Sequence, residues 1–370
     1  MEQKDIILSV KNLKKYYPVK ESSFFHEGKS YVKAVDDVSF DLMRGETLGL
    51  VGESGCGKST IGKQLVGLEK PTQGDILYEG KSLVHMKNNE LQKIRTELQM
   101  VFQDPYSSLN PRKHIYEILA APMLYHKLQT KNTVDQRINE LLEQVGLPKN
   151  AKNRYPHEFS GGQRQRITIA KALSLNPKLL ICDEPVSALD VSIQAQILNL
   201  LRSLQKDLGL TYLFIAHGLG AVNYVSNRTA VMYLGKIVEI ADSNILFQSP
   251  KHPYSKALIE AAPIPDPSMR NRKILLPEGE IPSAVNPPTG CRFHTRCPYA
   301  TELCAQKEPQ MQRILEADGS NHFAACFYVD KVHEGASPLV KQKESQFVPD
   351  LVMGQGSGAM SEEVKGGSVQ

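Results

Sequence analysis

Residues 52–60 read GESGCGKST, and the reading of this stretch decides the fold. It matches G-x-x-x-x-G-K-[ST], in which glycines let backbone N–H groups curl around phosphates, a lysine brings a point charge to the β and γ phosphates, and a hydroxyl faces Mg²⁺. Here Gly52 and Gly57 supply the bends, Lys58 the charge and Ser59 the hydroxyl, with Glu53, Ser54, Gly55, Cys56 and Thr60 completing a candidate ATP-binding loop. The apolar run ending at Val51 reads as a strand, and IGKQLVGL after the loop keeps helical spacing. Strand, glycine loop, helix is the context that separates this motif from an ordinary glycine-rich turn.

Outward from the loop, IILSVKNLKKYYPV alternates like a strand, and two further apolar runs are joined by the turn MRGE. Apolar residues recur every three or four positions from about Lys113 to Gly146, which predicts a block of amphipathic helices. LLICDE and TYLFIAH are short continuous apolar runs between helical segments, as expected of strands buried on both faces of a mostly parallel sheet. The fold class is therefore α/β. LLICDE ends in two carboxylates at the sheet edge where ligands bind in open α/β sheets. Asp183 can hold Mg²⁺ through water, and Glu184 can polarise a water in line with the γ phosphate. FSGGQRQRITIAKAL starts a helix at Ser160-Gly161-Gly162, and such a start, with its unpaired N–H groups, is an anion-binding device.

Composition sets outer bounds. With 370 residues, 41% hydrophobic and 23% charged, the chain suits one large core with a smaller appended unit. A net charge of +4 and the lack of a basic stripe interleaved with aromatics argue against nucleic acid as a partner. MEQKDIILSVKNLKKYY lacks the apolar stretch of a secretory signal, and no run approaches the ~18 apolar residues of a bilayer-spanning helix. A cytosolic location is expected.

The order GESGCGKST, Gln103 in MVFQDPYSSLNPR, FSGGQRQR, LLICDEPVSALD, and His217 in FIAHGL resembles the nucleotide-binding subunits of ABC transporters. QDPYSSLNPR, VSALDVSIQAQILNLL and HPYSKAL are similar to the dipeptide and oligopeptide importer branch, more to the second of its two ATPase subunits. The resemblance implies a P-loop NTPase cassette with a mostly parallel core sheet, an antiparallel β subdomain and a helical subdomain at about 104–170, spanning about 5–250. A small Cys-bearing extension follows at about 251–330, and 331–370 has the glycine, serine and charge content of a disordered tail.

The resemblance further implies two cassettes closing face to face around ATP. Ser160, Gly161, Gly162 and Gln163 would then contact the γ phosphate of ATP held by the partner. Gln103 would touch Mg²⁺ and the attacking water and sense the membrane subunit. His217 would hold the γ phosphate and position Glu184, and Asp190 in SALD would tie the halves together. The family's spacing selects Tyr17 over Tyr16 to stack on adenine. The implied partners are a second, related ATPase subunit, two transmembrane permease subunits and an extracytoplasmic peptide-binding protein, with the chain peripheral on the cytoplasmic face of the inner membrane. Two positions depart from the pattern: Gly218 replaces the usual Asp after the switch histidine, and Phe159 replaces the commoner leucine. The first puts in doubt how firmly the histidine loop is held.

Cys291, Cys297, Cys304 and Cys326 are spaced C-x₅-C-x₆-C-x₂₁-C. A cytosolic chain disfavours disulfides, and the spacing is not the C-x₂-C pair of a zinc ribbon. Zinc, an iron–sulfur cluster and four free thiols all stay open on chemistry alone. The resemblance of this stretch to the extension of peptide-importer ATPases suggests a [4Fe–4S] cluster acting as a structural staple. Cys56 and Cys182 read as small packing residues. Substrate stays open as well, since relatives handling nickel or glutathione share these motifs. An ABC protein acting on the ribosome or DNA would carry two cassettes or a long coiled-coil insert, and a non-hydrolysing regulatory module would lack Glu184 or the histidine.

Overall fold

A computed structural model of the chain describes residues 5–19, 30–262, 279–316 and 319–332. The tail expected from residue 331 lies, beyond residue 332, outside them. Twelve strands are present among these residues. They are β1 (Ile6–Pro18), β2 (Tyr31–Met43), β3 (Thr47–Val51), β4 (Gln73–Tyr78), β5 (Lys81–Ser82), β6 (Leu98–Val101), β7 (Leu179–Asp183), β8 (Thr211–Ala216), β9 (Arg228–Tyr233), β10 (Lys236–Asp242), β11 (Gln312–Leu315) and β12 (Asn321–Ala324). The helices are α1 (Lys58–Leu65), α2 (Asn88–Glu97), α3 (Pro105–Ser108), α4 (Ile115–Tyr125), α5 (Val134–Gln144), α6 (Gly161–Leu173), α7 (Val191–Leu208), α8 (Leu219–Val225), α9 (Ser243–Gln248), α10 (Pro253–Ala261) and α11 (Glu302–Gln306).

The main sheet runs β11-β12-β10-β9-β3-β8-β7-β6. Its β9, β3, β8, β7 and β6 are parallel, and β10, β12 and β11 are added antiparallel. Every residue of β3, β7 and β8 is buried, which accounts for their unbroken apolar runs: helices or a second sheet cover both faces. The second sheet, β2-β1-β4-β5, is antiparallel and packs Val35, Val38 and Leu42 into one core with Ile61 and Leu65 of α1. A larger core joins the opposite face to the helices between β6 and β7. There α5 buries Val134, Ile138, Leu141 and Leu142, the i, i+4, i+7, i+8 stripe that its sequence spacing dictates.

The strands β11 and β12 come from beyond residue 250 yet extend the main sheet through β10. Their seam carries buried ionisable side chains. His322 is fully buried between Glu239, at 2.6 Å from Nε2, and Glu316, at 2.8 Å from Nδ1. Glu239 also accepts the backbone N–H groups of Lys251 at 2.7 Å and His252 at 2.9 Å, which fixes the start of α10.

His252 caps α10 by accepting the Tyr254 N–H at Nδ1, 3.1 Å away, and burial pushes its pKa down to about 4. A histidine whose folded pKa lies below its unfolded value of roughly 6.5 stabilises the fold fully above that pH, and the contribution drains away as pH falls towards 4. Asparagine at 252 keeps an oxygen acceptor for the cap but does not titrate. Denaturant unfolding of wild type and His252→Asn is expected to shift in the variant's favour by about 2 kcal/mol between pH 7 and 4.5. Parallel curves for the two proteins would show that His252 carries no proton linkage.

Candidate functional site

Where β3 ends, the chain turns through Gly52, Gly55 and Gly57, all at positive φ, before α1 begins at Lys58. At Gly57, φ is +108° and a Cβ would stand 2.0 Å from the Ala34 carbonyl oxygen, so only glycine fits. Lys58 is buried, and its Nζ donates to the carbonyls of Gly52 at 2.8 Å and Glu53 at 3.0 Å. Ser59 Oγ donates to Asp183 Oδ1 at 2.8 Å, joining the loop to the end of β7. Burial raises the Asp183 pKa, the Ser59 bond opposes that shift, and the neighbouring Glu184 adds to it.

Glu184 adopts φ +48°, the left-handed region that L-residues avoid at a cost of about 1–2 kcal/mol. In a continuing strand, successive side chains would face opposite sides of the sheet. The left-handed turn ends that alternation. The Glu184 carboxylate accepts from Gln103 Nε2 at 2.7 Å and from His217 Nδ1 at 2.9 Å. Because a carboxylate only accepts, Nδ1 carries the proton. Gln103 follows β6, His217 follows β8 and Glu184 follows β7, so three parallel strands deliver one network to one sheet edge. The Ser59 hydroxyl and the Asp183 carboxylate, bonded to each other, are oxygen donors of the kind that suits a hard cation such as Mg²⁺, and the amide of Gln103 carries a further oxygen. The N–H-lined glycine turn ahead of α1 suits an anion.

Ser160 and Gln163 satisfy each other. Ser160 Oγ accepts the Gln163 N–H at 3.4 Å and Gln163 Oε1 accepts the Ser160 N–H at 3.1 Å, a capping box at the start of α6. Gly162 is required for packing, since a Cβ there would meet Ile193 Cγ2 of α7 at 2.4 Å. Ser160, Gln163 and Asp190 are exposed and hydrogen-bond to no member of the Glu184 network. At Gly218 a Cβ would meet nothing within 4 Å, so no steric demand explains the missing Asp, and α8 starts with no side-chain cap.

The adjacent tyrosines part ways. Tyr17 donates to Glu69, interacts with the Thr60 side chain at the end of the phosphate loop, and has Lys15 Nζ 5.1 Å from its ring centre. Tyr16 instead donates to Asp36 at 2.5 Å, away towards the extension, where Arg292 pairs with the same carboxylate.

The four clustered cysteines line one cavity of about 10 Å³ together with Phe293, Phe327, Tyr328 and other residues. Burial raises the thiol pKa of Cys291, of Cys297 to about 12 and of Cys326 to about 11, and the neighbouring cysteines push in the same direction. Backbone N–H groups of Phe293 and His294, Tyr299, and Tyr328 oppose the shift by donating to Cys291, Cys297 and Cys326 respectively. Four soft thiols with N–H donors fit the ligand chemistry of zinc or an iron–sulfur cluster. Among the described residues, however, no group of three or more His, Cys, Asp or Glu is arranged as the ligands of a metal. Cys56 and Cys182 are packed in the two cores.

Sequence reasoning missed what holds Glu53. Its backbone N–H donates to the Tyr254 hydroxyl at 2.9 Å, and its carboxylate receives a forked pair of bonds from Arg296, the shortest 3.0 Å. The likeness of HPYSKAL to the importer branch assigns no role to its tyrosine. Nothing local signalled an arginine 243 positions from its partner.

Residues 35–187 match the ABC transporter family model, and residues 238–304 match the model of the oligopeptide/dipeptide transporter C-terminal region. The chain is 51% identical over 333 residues to the oligopeptide transport ATP-binding protein OppF of Salmonella typhimurium, covering 89% of this chain and 98% of that one. It is 49% identical to AppF of Bacillus subtilis, covering 87% and 97% respectively. A dimeric ATP-binding cassette in a post-hydrolysis state bound to ADP and phosphate superimposes with a TM-score of 0.56 at 28% identity, covering 64% of this chain and 98% of that one. The cbiO1 subunit of a Clostridium perfringens ABC transporter complex gives 0.56 at 27% identity, over 66% and 91% of the two chains.

Proposed function

The chain belongs to the ABC transporter family of ATPases, in its oligopeptide-transport branch, and from that premise we propose how it couples ATP hydrolysis to peptide import. The observation that carries the reading is the network in which Gln103 and His217 hold the Glu184 carboxylate beside the Ser59–Asp183 pair. Lys58 and the loop N–H groups bind the β and γ phosphates. Glu184 takes the proton of the attacking water while Gln103 orients that water and His217 holds Glu184 through its Nδ1–H. Bound Mg²⁺ supplies positive charge against the charge developing on the phosphate oxygens, and Ser59, Asp183 and Gln103 would hold it.

The exposed Ser160 and Gln163 at the start of α6, with Asp190, serve the partner's ATP rather than this chain's own, a reading supported by the dimeric form of the similar cassette. The partner is a second, related ATPase subunit. Tyr17, at Thr60, stacks on adenine. Two contacts support coupling of the site to two transmembrane permease subunits. Arg164 of α6 lies 4.1 Å from the centre of the exposed Tyr106 ring, and Lys171 donates to the Ser108 carbonyl at 2.9 Å, tying α6 to the segment after Gln103. No described helix is long and apolar enough to cross a membrane. The chain sits peripherally on the cytoplasmic face, and an extracytoplasmic binding protein delivers the peptide. In vesicles holding the permeases, second ATPase and binding protein, oligopeptides are expected to stimulate ATPase activity. Stimulation only by glutathione or nickel would move the substrate class, and failure to assemble would end the transport reading.

The four thiols lining one cavity, with N–H donors on three of them, support a [4Fe–4S] cluster that staples the extension. Protein purified without oxygen is expected to contain iron and acid-labile sulfide. Zinc without sulfide would replace the cluster by a zinc site, and neither metal would leave four packed thiols.

A further inference from the structure

Glu53, the second residue of the phosphate loop, is gripped at three points. Tyr254 accepts its N–H, Lys58 Nζ donates to its carbonyl at 3.0 Å, and Arg296 pairs with its carboxylate through Nη1 and Nη2. Two of the three grips come from beyond residue 250. The Arg296 side chain is only 9% exposed, so solvent screens this pair weakly. It also reaches the Tyr233 hydroxyl at 3.4 Å.

The turn that carries Arg296 is anchored. Phe293 is fully buried against Tyr233 and Tyr254, with ring centres 5.3 and 5.4 Å away. Arg292, in the same turn, donates to the Leu234 carbonyl, and the next residue, Gly235, donates its N–H to the Cys56 carbonyl of the phosphate loop at 3.0 Å. Both arginines lie between Cys291 and Cys297. One turn of the extension thus reaches the loop twice, directly at Glu53 and through Leu234–Gly235 at Cys56.

We propose that Arg296 is a positioning residue for ATP binding: the extension, through its ion pair with Glu53, holds the phosphate loop in the form that accepts the β and γ phosphates. Lys58 is aimed by the same carbonyls that this pair steadies, so releasing Glu53 lets the lysine and the loop N–H groups wander. The inference rests on the reading of Gly52–Thr60 as the ATP loop.

Equilibrium binding of Mg²⁺ and a fluorescent ATP analogue to the full-length chain tests it. Arg296→Ala and Glu53→Ala are each expected to weaken binding about tenfold, and the double variant also about tenfold rather than a hundredfold, because the two residues act as one contact. In the assembled transporter, Arg296→Ala is expected to raise the KM for ATP with kcat changed less than about twofold, the mark of lost ground-state binding. If Arg296→Ala does not fold, Glu53→Ala reads the same contact from the loop without touching the extension. Wild-type affinity in Arg296→Ala or Glu53→Ala, or additive losses in the double variant, would overturn the proposal. Lys58→Ala separates the two levels. If it binds as wild type, the ATP-loop reading falls with the inference, whereas loss of binding in Lys58→Ala alone removes only the role of Arg296.

Discussion

Glu184→Gln is expected to bind ATP as tightly as wild type and to hydrolyse it about 10²–10⁴-fold more slowly, the range lost when a positioned general base is removed. Glutamine keeps the length and the planar head of glutamate, so the contacts to Gln103 Nε2 and His217 Nδ1 can be made in part by its amide oxygen. What it loses is the lone pair that accepts a proton from water. The neighbouring Asp183 is poorly placed to substitute for it, being engaged by Ser59 and assigned to the cation in the proposed function. Binding should be spared because Lys58 and the loop N–H groups, to which the proposed function gives the phosphates, lie outside the exchanged side chain. Steady-state phosphate release from the assembled transporter, beside equilibrium ATP binding, makes the comparison. A loss below about tenfold would remove Glu184 as the base and leave it a role in orientation alone.

The strands that carry these residues are legible in the sequence, and the turns that aim them are less so. GESGCGKST and LLICDE could be placed at one sheet edge because glycine spacing and unbroken apolar runs are local signals, and the strands they predict are fully buried. The left-handed turn at Glu184, on which its meeting with Gln103 and His217 depends, leaves no trace in residue type, since glutamate is not a residue that favours such a backbone. The helix start at Ser160 has the residue types of an anion device, and the same residues make a cap. In this single chain its serine and glutamine cap each other, and the second glycine answers to Ile193. The strands β11 and β12 escaped notice because four residues each, QRIL and NHFA, are too short to show a period. The grip of Arg296 on Glu53 was invisible for a related reason: an ion pair between distant segments exists only once the sheet has brought them together.

The same loop separates two kinds of glycine, and Gly57→Ala is the second change expected to be severe. At Gly57 an alanine meets two obstacles. The backbone, at φ +108°, lies outside the left-handed well that L-residues can reach, and the new Cβ would stand 2.0 Å from the Ala34 carbonyl oxygen and 2.8 Å from Met232 Cε. The methionine end can move, but the Ala34 carbonyl belongs to β2, which is paired along its length with β1. The loop must therefore open at its last residue before Lys58, which displaces the lysine and the start of α1 together. ATP affinity is expected to fall by about a hundredfold or more, and unfolding without nucleotide to become easier by about 2–4 kcal/mol. Gly55→Ala is the matched comparison. Its φ of +79° strains an alanine, yet nothing lies within 4 Å of the added carbon, so only the conformational cost of about 1–2 kcal/mol remains. Denaturant unfolding of the two variants without nucleotide isolates the packing contribution. If Gly57→Ala proved no less stable than Gly55→Ala, the close approach of the loop to β2 would not be a constraint that the fold enforces.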